Sequence, residues 1–300
     1  MTTSPAVAAP PGSAPASPVP PTAPPRGRRR PWDRPPRWQI HLPLGLYLLF
    51  TLVPFYWMLL FAVRPTGSTS LLPWPMTGAH FAKVWTERGF ATFFANSAVV
   101  GVCSLVMTTV VALAGGYALA RFRFRGRSAF MLGLLCSQFI PGALMLVPLF
   151  QIFAQLRMIN SLGSVIVAET VFQLPLSMML LSGFIRNVPQ ALEEAAWVDG
   201  CGRLTAFRVV VLPLLRPGLV ATGSFAFVHS WNHFLFALMF LSAQDKQTIP
   251  VGLATLMSAD SVDLGALAAG GVVAAVPVVL VFAFIQRWLV TGFSAGAVKG

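Results

Sequence analysis

Charge is scarce in this chain, and negative charge scarcest of all. Charged residues make up 10% of 300, with 9 Asp and Glu against 21 Lys and Arg and a formal net charge of +12. A soluble domain of ordinary composition carries about 25% charged residues. This chain therefore lacks the charge to cover a water-facing globule, and lipid is the implied solvent. Cysteine is sparse too. Cys103, Cys136 and Cys201 stand far apart with no Cys-x-x-Cys pair, so neither a disulfide framework nor a thiolate zinc site is indicated. The phosphate-loop pattern Gly-x4-Gly-Lys-Ser/Thr is absent, so the chain is not expected to hydrolyse ATP itself. The His-Glu-x-x-His zinc pattern is absent as well, and no acid–base pair suits an intramembrane enzyme. The sequence calls for no cofactor and no metal.

What is abundant is apolar: 56% of residues, with mean hydropathy +0.72. Six runs are each long enough for a span of about 20 residues, near 42–63, 96–120, 128–151, 161–185, 219–241 and 266–288. In lipid each must be helical, because an open strand leaves its backbone groups unpaired. The expectation is an all-α integral membrane protein with six transmembrane helices. Pro54, Pro141, Pro148, Pro175, Pro277, Gly115-Gly116 and Gly270-Gly271 punctuate the runs, where such residues kink helices or let them approach closely.

Residues 1–38 differ: Pro, Ala and Ser, then Arg26, Arg28, Arg29, Arg30, Arg34 and Arg37. Proline at this density blocks helix and sheet, and too little apolar surface is present to offset the ordering entropy. A disordered tail is expected there, followed by a six-helix transmembrane domain over 39–300. The arginines read as a topology signal, with anionic headgroup binding as the alternative. A cleaved signal peptide is disfavoured by the long charged preamble and the full-length apolar run after it. The positive charge lies beside apolar runs, where orientation signals belong, and so does not point to nucleic acid. With the tail inside, 16 Lys and Arg fall in the tail, 121–127, 186–216 and the C-terminus, and 5 fall on the other side: Arg64, Lys83, Arg88, Arg157 and Lys246. The asymmetry predicts a multi-pass cell-membrane protein with both termini cytoplasmic.

The segment 186–216 is polar and set between two apolar runs. Pro189 suits the first position of a helix, and Gln190 to Trp197 are mostly good helix formers. Gly200 and Gly202 bracket Cys201 and allow a left-handed turn. A second helix is expected to bury Leu204, Phe207 and Val211 on one face, with Pro213 ending it. Glu194 and Asp199 are left for water or a cationic partner.

Glu194-Ala195-Ala196, three residues, Gly200, nine residues, Val210, one residue, Leu212-Pro213 matches at every place, with Val for the usual Ile, the EAA loop of ABC importer membrane subunits. Ser230-Trp231-Asn232-His233-Phe234-Leu235 is similar to the Trp-Asn-acidic-Phe segment of carbohydrate-importer permeases of the MalG type, with His233 where an acid is common. The finish Gly296-Ala297-Val298-Lys299-Gly300 is similar to theirs as well. The resemblance covers residue 40 to the end; the Pro-rich tail has no counterpart.

That resemblance implies the ABC importer permease (MetI-like) fold with a cytoplasmic coupling helix. It implies a lipid-embedded subunit that is no enzyme, partnered by an ABC ATPase dimer, a second and different permease and an extracytoplasmic solute-binding protein, with a sugar as solute. Glu194, Ala195, Ala196, Asp199, Gly200, Leu212 and Pro213 would form the coupling surface. Import of a non-sugar solute is the alternative within the class. An ion-coupled secondary transporter would more often show broken-helix repeats and coupling-ion carboxylates, for which only Glu169 is a candidate.

Glu169 lies inside the fourth run. Ionisable groups there are functional candidates, so it either recognises sugar hydroxyls or is paired with a polar neighbour such as Gln173. Trp231 and Asn232 are candidate path-lining residues. His229 and His233 are four apart on one helical face. With no third metal ligand in view, interhelical hydrogen bonding is favoured over a metal pair.

Overall fold

The structure is a computed structural model that describes residues 37–257 and 263–296. Residues 1–36 of the expected tail and the four last residues of the C-terminal signature lie outside the described residues; Arg37 and Trp38, counted with the tail, instead begin the first helix. Contacts divide the chain into Met1–Thr51 and Leu52–Gly300. In the first unit the described residues are helical and their apolar side chains are exposed.

The described regular structure is helical throughout. In chain order it comprises α1 (Arg37–Val63), α2 (Ala79–Ala82, continued by a π-turn Lys83–Glu87), α3 (Phe90–Arg121), α4 (Arg127–Ser137), α5 (Leu146–Gln155), α6 (Leu162–Arg186), α7 (Gln190–Val198) and α8 (Arg203–Ala206). Then follow α9 (Leu212–Leu214), α10 (Arg216–Asn232), α11 (Leu235–Phe240), α12 (Ile249–Met257) and α13 (Leu264–Gly296). Four helices are long and apolar enough to cross a membrane alone, and six spans result if each of two bent pairs counts as one.

The third expected run is one of these pairs. α4 and the Gly142–Gln155 segment meet at 94° instead of forming a straight span. Pro141 supplies no N–H, and the preceding N–H groups of Gln138, Phe139 and Ile140 tighten onto carbonyls three residues back. The other prolines act differently: Pro175 and Pro277 lie within continuous helices. The fifth run is broken as well. α10 ends at Asn232, His233 is extended at φ −75°, ψ 121°, and α11 restarts two residues later. Asn232 helps to end α10 by donating Nδ2–H to the Val228 carbonyl at 2.8 Å.

α3 and α6 form the central pair, packed along most of their length, with α10 against both and α13 against α10. Their closeness follows from side-chain size. Along α3 the buried positions Ser104, Thr108, Ala112 and Gly116 recur every fourth residue, a small-residue seam that lets backbones approach. At Gly116 a Cβ would sit 3.1 Å from the Ser182 amide nitrogen and 3.2 Å from the Met178 carbonyl oxygen, so only glycine fits without moving backbone. The aromatic core lies between α3, α10 and α13, where Phe94, Phe227 and Trp231 meet ring to ring.

Gly292-Phe293-Ser294-Ala295-Gly296 carries the letters of a serine-hydrolase elbow. It lies in the last turns of α13, without the strand-to-helix turn that such chemistry requires.

Candidate functional site

The segment between α6 and α10 folds as two short helices around a glycine turn. Pro189 stands just before α7 as its N-cap, one place earlier than expected. Gly200 adopts φ +86°, the left-handed region that favours glycine, and its amide bonds to the Trp197 carbonyl. Gly202 is extended at φ −66° and makes no left-handed turn. The second helix passes from α8 through a π-turn, Phe207–Val211, into α9. It then bends by 76° into α10. Pro213 therefore sits inside the final turn, and the chain bends two residues later.

The buried face of this second helix is shifted from the expected one. Val211 is buried and Phe207 half-buried, but Leu204 is exposed and Ala206 takes the inner position. The π-turn supplies the reason. Its wider turn advances the inward face, so a strict 3.6-residue period misplaces the first residue. Val211, Leu215, Ile185 and Val188 close a small core at the base of α3.

The two neighbouring glutamates of α7 have opposite fates. Glu194 is exposed and, among the described residues, accepts only from Gln190 Nε2, at 3.0 Å. Glu193, which the motif does not single out, is 1% exposed. Its two oxygens accept from Arg121 Nε at 2.6 Å and from the Tyr117 hydroxyl at 2.7 Å. Arg121 also donates to the Val188 carbonyl at 2.9 Å, and Phe207 packs edge-on against Tyr117. Two residues from the end of α3, Tyr117 and Arg121, thus hold the loop. No signal in a single sequence separates Glu193 from Glu194. One residue is about 100° of helix rotation, and which side is inward depends on where α3 lies. The exposed rim of the loop comprises Leu192, Glu194, Val198, Asp199 and Leu204, with Ala195 and Gly200 beside them and Ala196 and Leu212 half-buried.

Residues 112–294 match the family described as binding-protein-dependent transport system inner membrane component. The chain belongs to this family. Among its relatives, the diacetylchitobiose uptake system permease protein DasC of Streptomyces coelicolor is 38% identical over 252 residues, 82% of this chain and 91% of DasC. The arabinooligosaccharides transport system permease protein AraQ of Halalkalibacterium halodurans is 32% identical, covering 88% and 96% of the two chains. The trehalose transport system permease protein SugB of Mycobacterium tuberculosis is 30% identical, covering 84% and 93%. A crystal structure of a bacterial ABC transporter that imports the acidic polysaccharide alginate contains a chain of the same fold, with TM-score 0.72, 20% identity and coverage of 85% and 98%. As a family member the chain is a transport subunit, an ABC importer permease embedded in the membrane, and ATP hydrolysis belongs to a separate subunit.

Within this permease Glu169 has no exposed surface. His229 Nδ1 lies 3.1 Å from one of its oxygens and His233 Nδ1 2.8 Å from the other. Gln173 Nε2 donates to Ser230 Oγ at 2.9 Å and lies 3.4 Å from the carboxylate. The histidine pair is thus joined to α6 by interhelical contacts, and Gln173 is the polar neighbour that its spacing suggested. Among the described residues no cluster of His, Cys, Asp or Glu has the arrangement to hold a metal.

Trp231 is buried, and its indole N–H donates to the Ala274 carbonyl at 3.0 Å, tying α10 to α13. Asn232 is exposed. Both border a groove of about 440 Å³ whose other walls include Ile249, Leu253 and Met257 of α12. The three candidate path residues therefore do not converge. Glu169 faces α10 from one side, and Trp231 and Asn232 border a groove on another.

Proposed function

We propose that this permease forms half of the membrane channel of an ATP-driven saccharide importer, pairs with a second permease, and receives its solute from an extracytoplasmic binding protein. Segment 186–216 faces the cytoplasm in this reading, as the 16-to-5 distribution of Lys and Arg favours. Both termini lie on that side. The names of DasC, AraQ and SugB, all given for saccharide uptake, support the class of solute.

One observation carries the coupling role. The loop is bound to all three core helices at once. It follows α6 directly, leads through α9 into α10, and is held to α3 by Glu193 with Arg121 and Tyr117. A displacement of α7 is thus delivered to the whole α3–α6–α10 core. Its exposed rim, with Glu194 and Asp199, is the docking face for the ATPase. ATP favours one arrangement of the ATPase pair and shifts the permease population with it. Driving such a switch from about 1:99 to 99:1 takes on the order of 5.5 kcal/mol of differential binding.

The test is reconstitution of the chain with its sister permease, ATPase and binding protein, followed by uptake of labelled diacetylchitobiose, trehalose and an arabinooligosaccharide. At least one saccharide is taken up with ATP, and Glu194→Ala or Gly200→Asp lowers uptake per ATP hydrolysed. Full coupled uptake in both variants would remove the loop from the coupling path. Absence of uptake for every saccharide tried, with a non-sugar solute carried instead, would overturn the solute class.

A further inference from the structure

Glu169 is closed off from solvent, yet the two rings it contacts are not. The side chains of His229 and His233 are 38% and 22% exposed, while that of Glu169 is 0% exposed. An ionised carboxylate has only lone pairs to offer. His229 Nδ1, which bonds to it at 3.1 Å, therefore carries its proton, and the same charge favours a proton on His233 Nδ1, which lies 2.8 Å from the other oxygen without being aligned for a hydrogen bond. In the neutral ring this tautomer puts the lone pair on Nε2, at the far side. Neither Nε2 has a hydrogen-bond partner among the described residues.

Ionisable side chains within spans turn to a bundle interior or to water, not to hydrocarbon. The open edges of the two rings are therefore not a lipid face. They also belong to an aromatic row, Phe225, His229, His233 and Phe236, with centroids 6.2, 5.3 and 4.5 Å apart in sequence. Aromatic walls with a few fixed polar groups are the usual make-up of small-molecule sites. His233 sits at the break between α10 and α11, where the backbone also departs from helix.

We infer that His229 and His233 form a solute-contact station on the water-filled path. Their Nε2 atoms accept hydrogen bonds from saccharide hydroxyls, and Glu169 acts behind them as a positioning residue that fixes the tautomer. The inference rests on the saccharide-import reading for its ligand, but not for the water-facing position of the rings.

Two measurements on the assembled transporter test it. In a background with Cys103, Cys136 and Cys201 replaced by alanine, His229→Cys and His233→Cys are exposed to a membrane-impermeant methanethiosulfonate. Both are modified, whereas Leu280→Cys, an exposed apolar position on α13, is not. Labelled diacetylchitobiose then serves as transport probe. His229→Ala and His233→Ala each lower uptake about 5- to 10-fold, the effect of one ordinary hydrogen bond. His229→Gln, which keeps an acceptor, recovers part of the loss. Glu169→Gln lowers uptake without altering modification at position 229. Failure of both cysteines to react, or wild-type uptake by the double alanine variant, overturns the station. Modification of both cysteines in a transporter that carries none of the saccharides keeps the rings on the path and refutes the saccharide as their ligand.

Discussion

Replacing Glu193 by alanine tests whether α7 moves as one body with α3. The substitution removes an acceptor that takes Arg121 Nε–H at 2.6 Å and the Tyr117 hydroxyl at 2.7 Å. It leaves a guanidinium whose side chain is 10% exposed, with the Val188 carbonyl as its remaining acceptor. Cutting one partner from a buried ion pair costs about 3–5 kcal/mol. Arg121 keeps a backbone bond and sits at a helix end that water can enter, so the low end, about 3 kcal/mol, applies. Tyr117→Phe removes one hydrogen bond and leaves the ion pair, at about 1 kcal/mol. Glu193→Gln keeps an acceptor without the charge and falls between. Hydrogen exchange of the α7 amides in the assembled transporter reads these values directly, since about 3 kcal/mol corresponds to a roughly 150-fold change in the opening equilibrium. Solute moved per ATP hydrolysed should fall in the same order, with alanine lowest. Unchanged α7 exchange and unchanged coupling in Glu193→Ala would refute the idea that the clamp carries motion into α3.

Gly116→Val should prevent stable packing of α3 on α6, because the new Cβ meets the backbone at Ser182 and Met178. Gly183→Ala, with nothing within 4 Å, is the neutral comparison, and the yield and melting temperature of the assembled complex report both. Gly200→Ala should loosen the loop by about 1–2 kcal/mol through its left-handed backbone alone, since no atom lies within 4 Å of the added carbon. Gly202→Ala, at φ −66°, should have little effect, and α7 exchange separates the two. Asp263 heads α13, donating nothing and accepting from Lys83 Nζ at 2.8 Å and the Ala266 N–H at 2.9 Å. Chiefly the Lys83 bond, then the Ala266 N–H, holds its carboxyl below the usual range. A depressed folded pKa means that this stabilisation is present above the ordinary Asp value of about 3.9 and is lost as pH falls through the folded value. Protection of the first turn of α13, corrected for intrinsic exchange, should therefore drop in acid in the wild type and lose that pH dependence in Asp263→Asn.

Much of the fold could be read from local features of the chain. Apolar runs locate α1, α3, α6 and α13, because a lipid-crossing helix needs an uninterrupted stretch of hydrocarbon side chains. The loop between α6 and α10 is legible from a spaced pattern, and the position of its turn from Gly200, since few other residues accept φ +86°. The breaks were less legible. Pro141, Pro175 and Pro277 are the same residue type in similar runs, yet only the first stands at a break. The outcome depends on whether neighbouring helices hold the chain straight.

The sequence by itself determined the solvent, the number of apolar runs and the presence of a polar hook between the fourth and fifth, since hydropathy and backbone preference act over a few residues. Only the tertiary structure decided that Glu193 and not Glu194 anchors that hook, across 72 residues to Arg121. It alone joined Glu169 to His229, 60 residues further along the chain. These pairings depend on how helices rotate and slide against one another, and that is set by small-residue seams such as the one ending at Gly116, whose effect appears only when two helices meet.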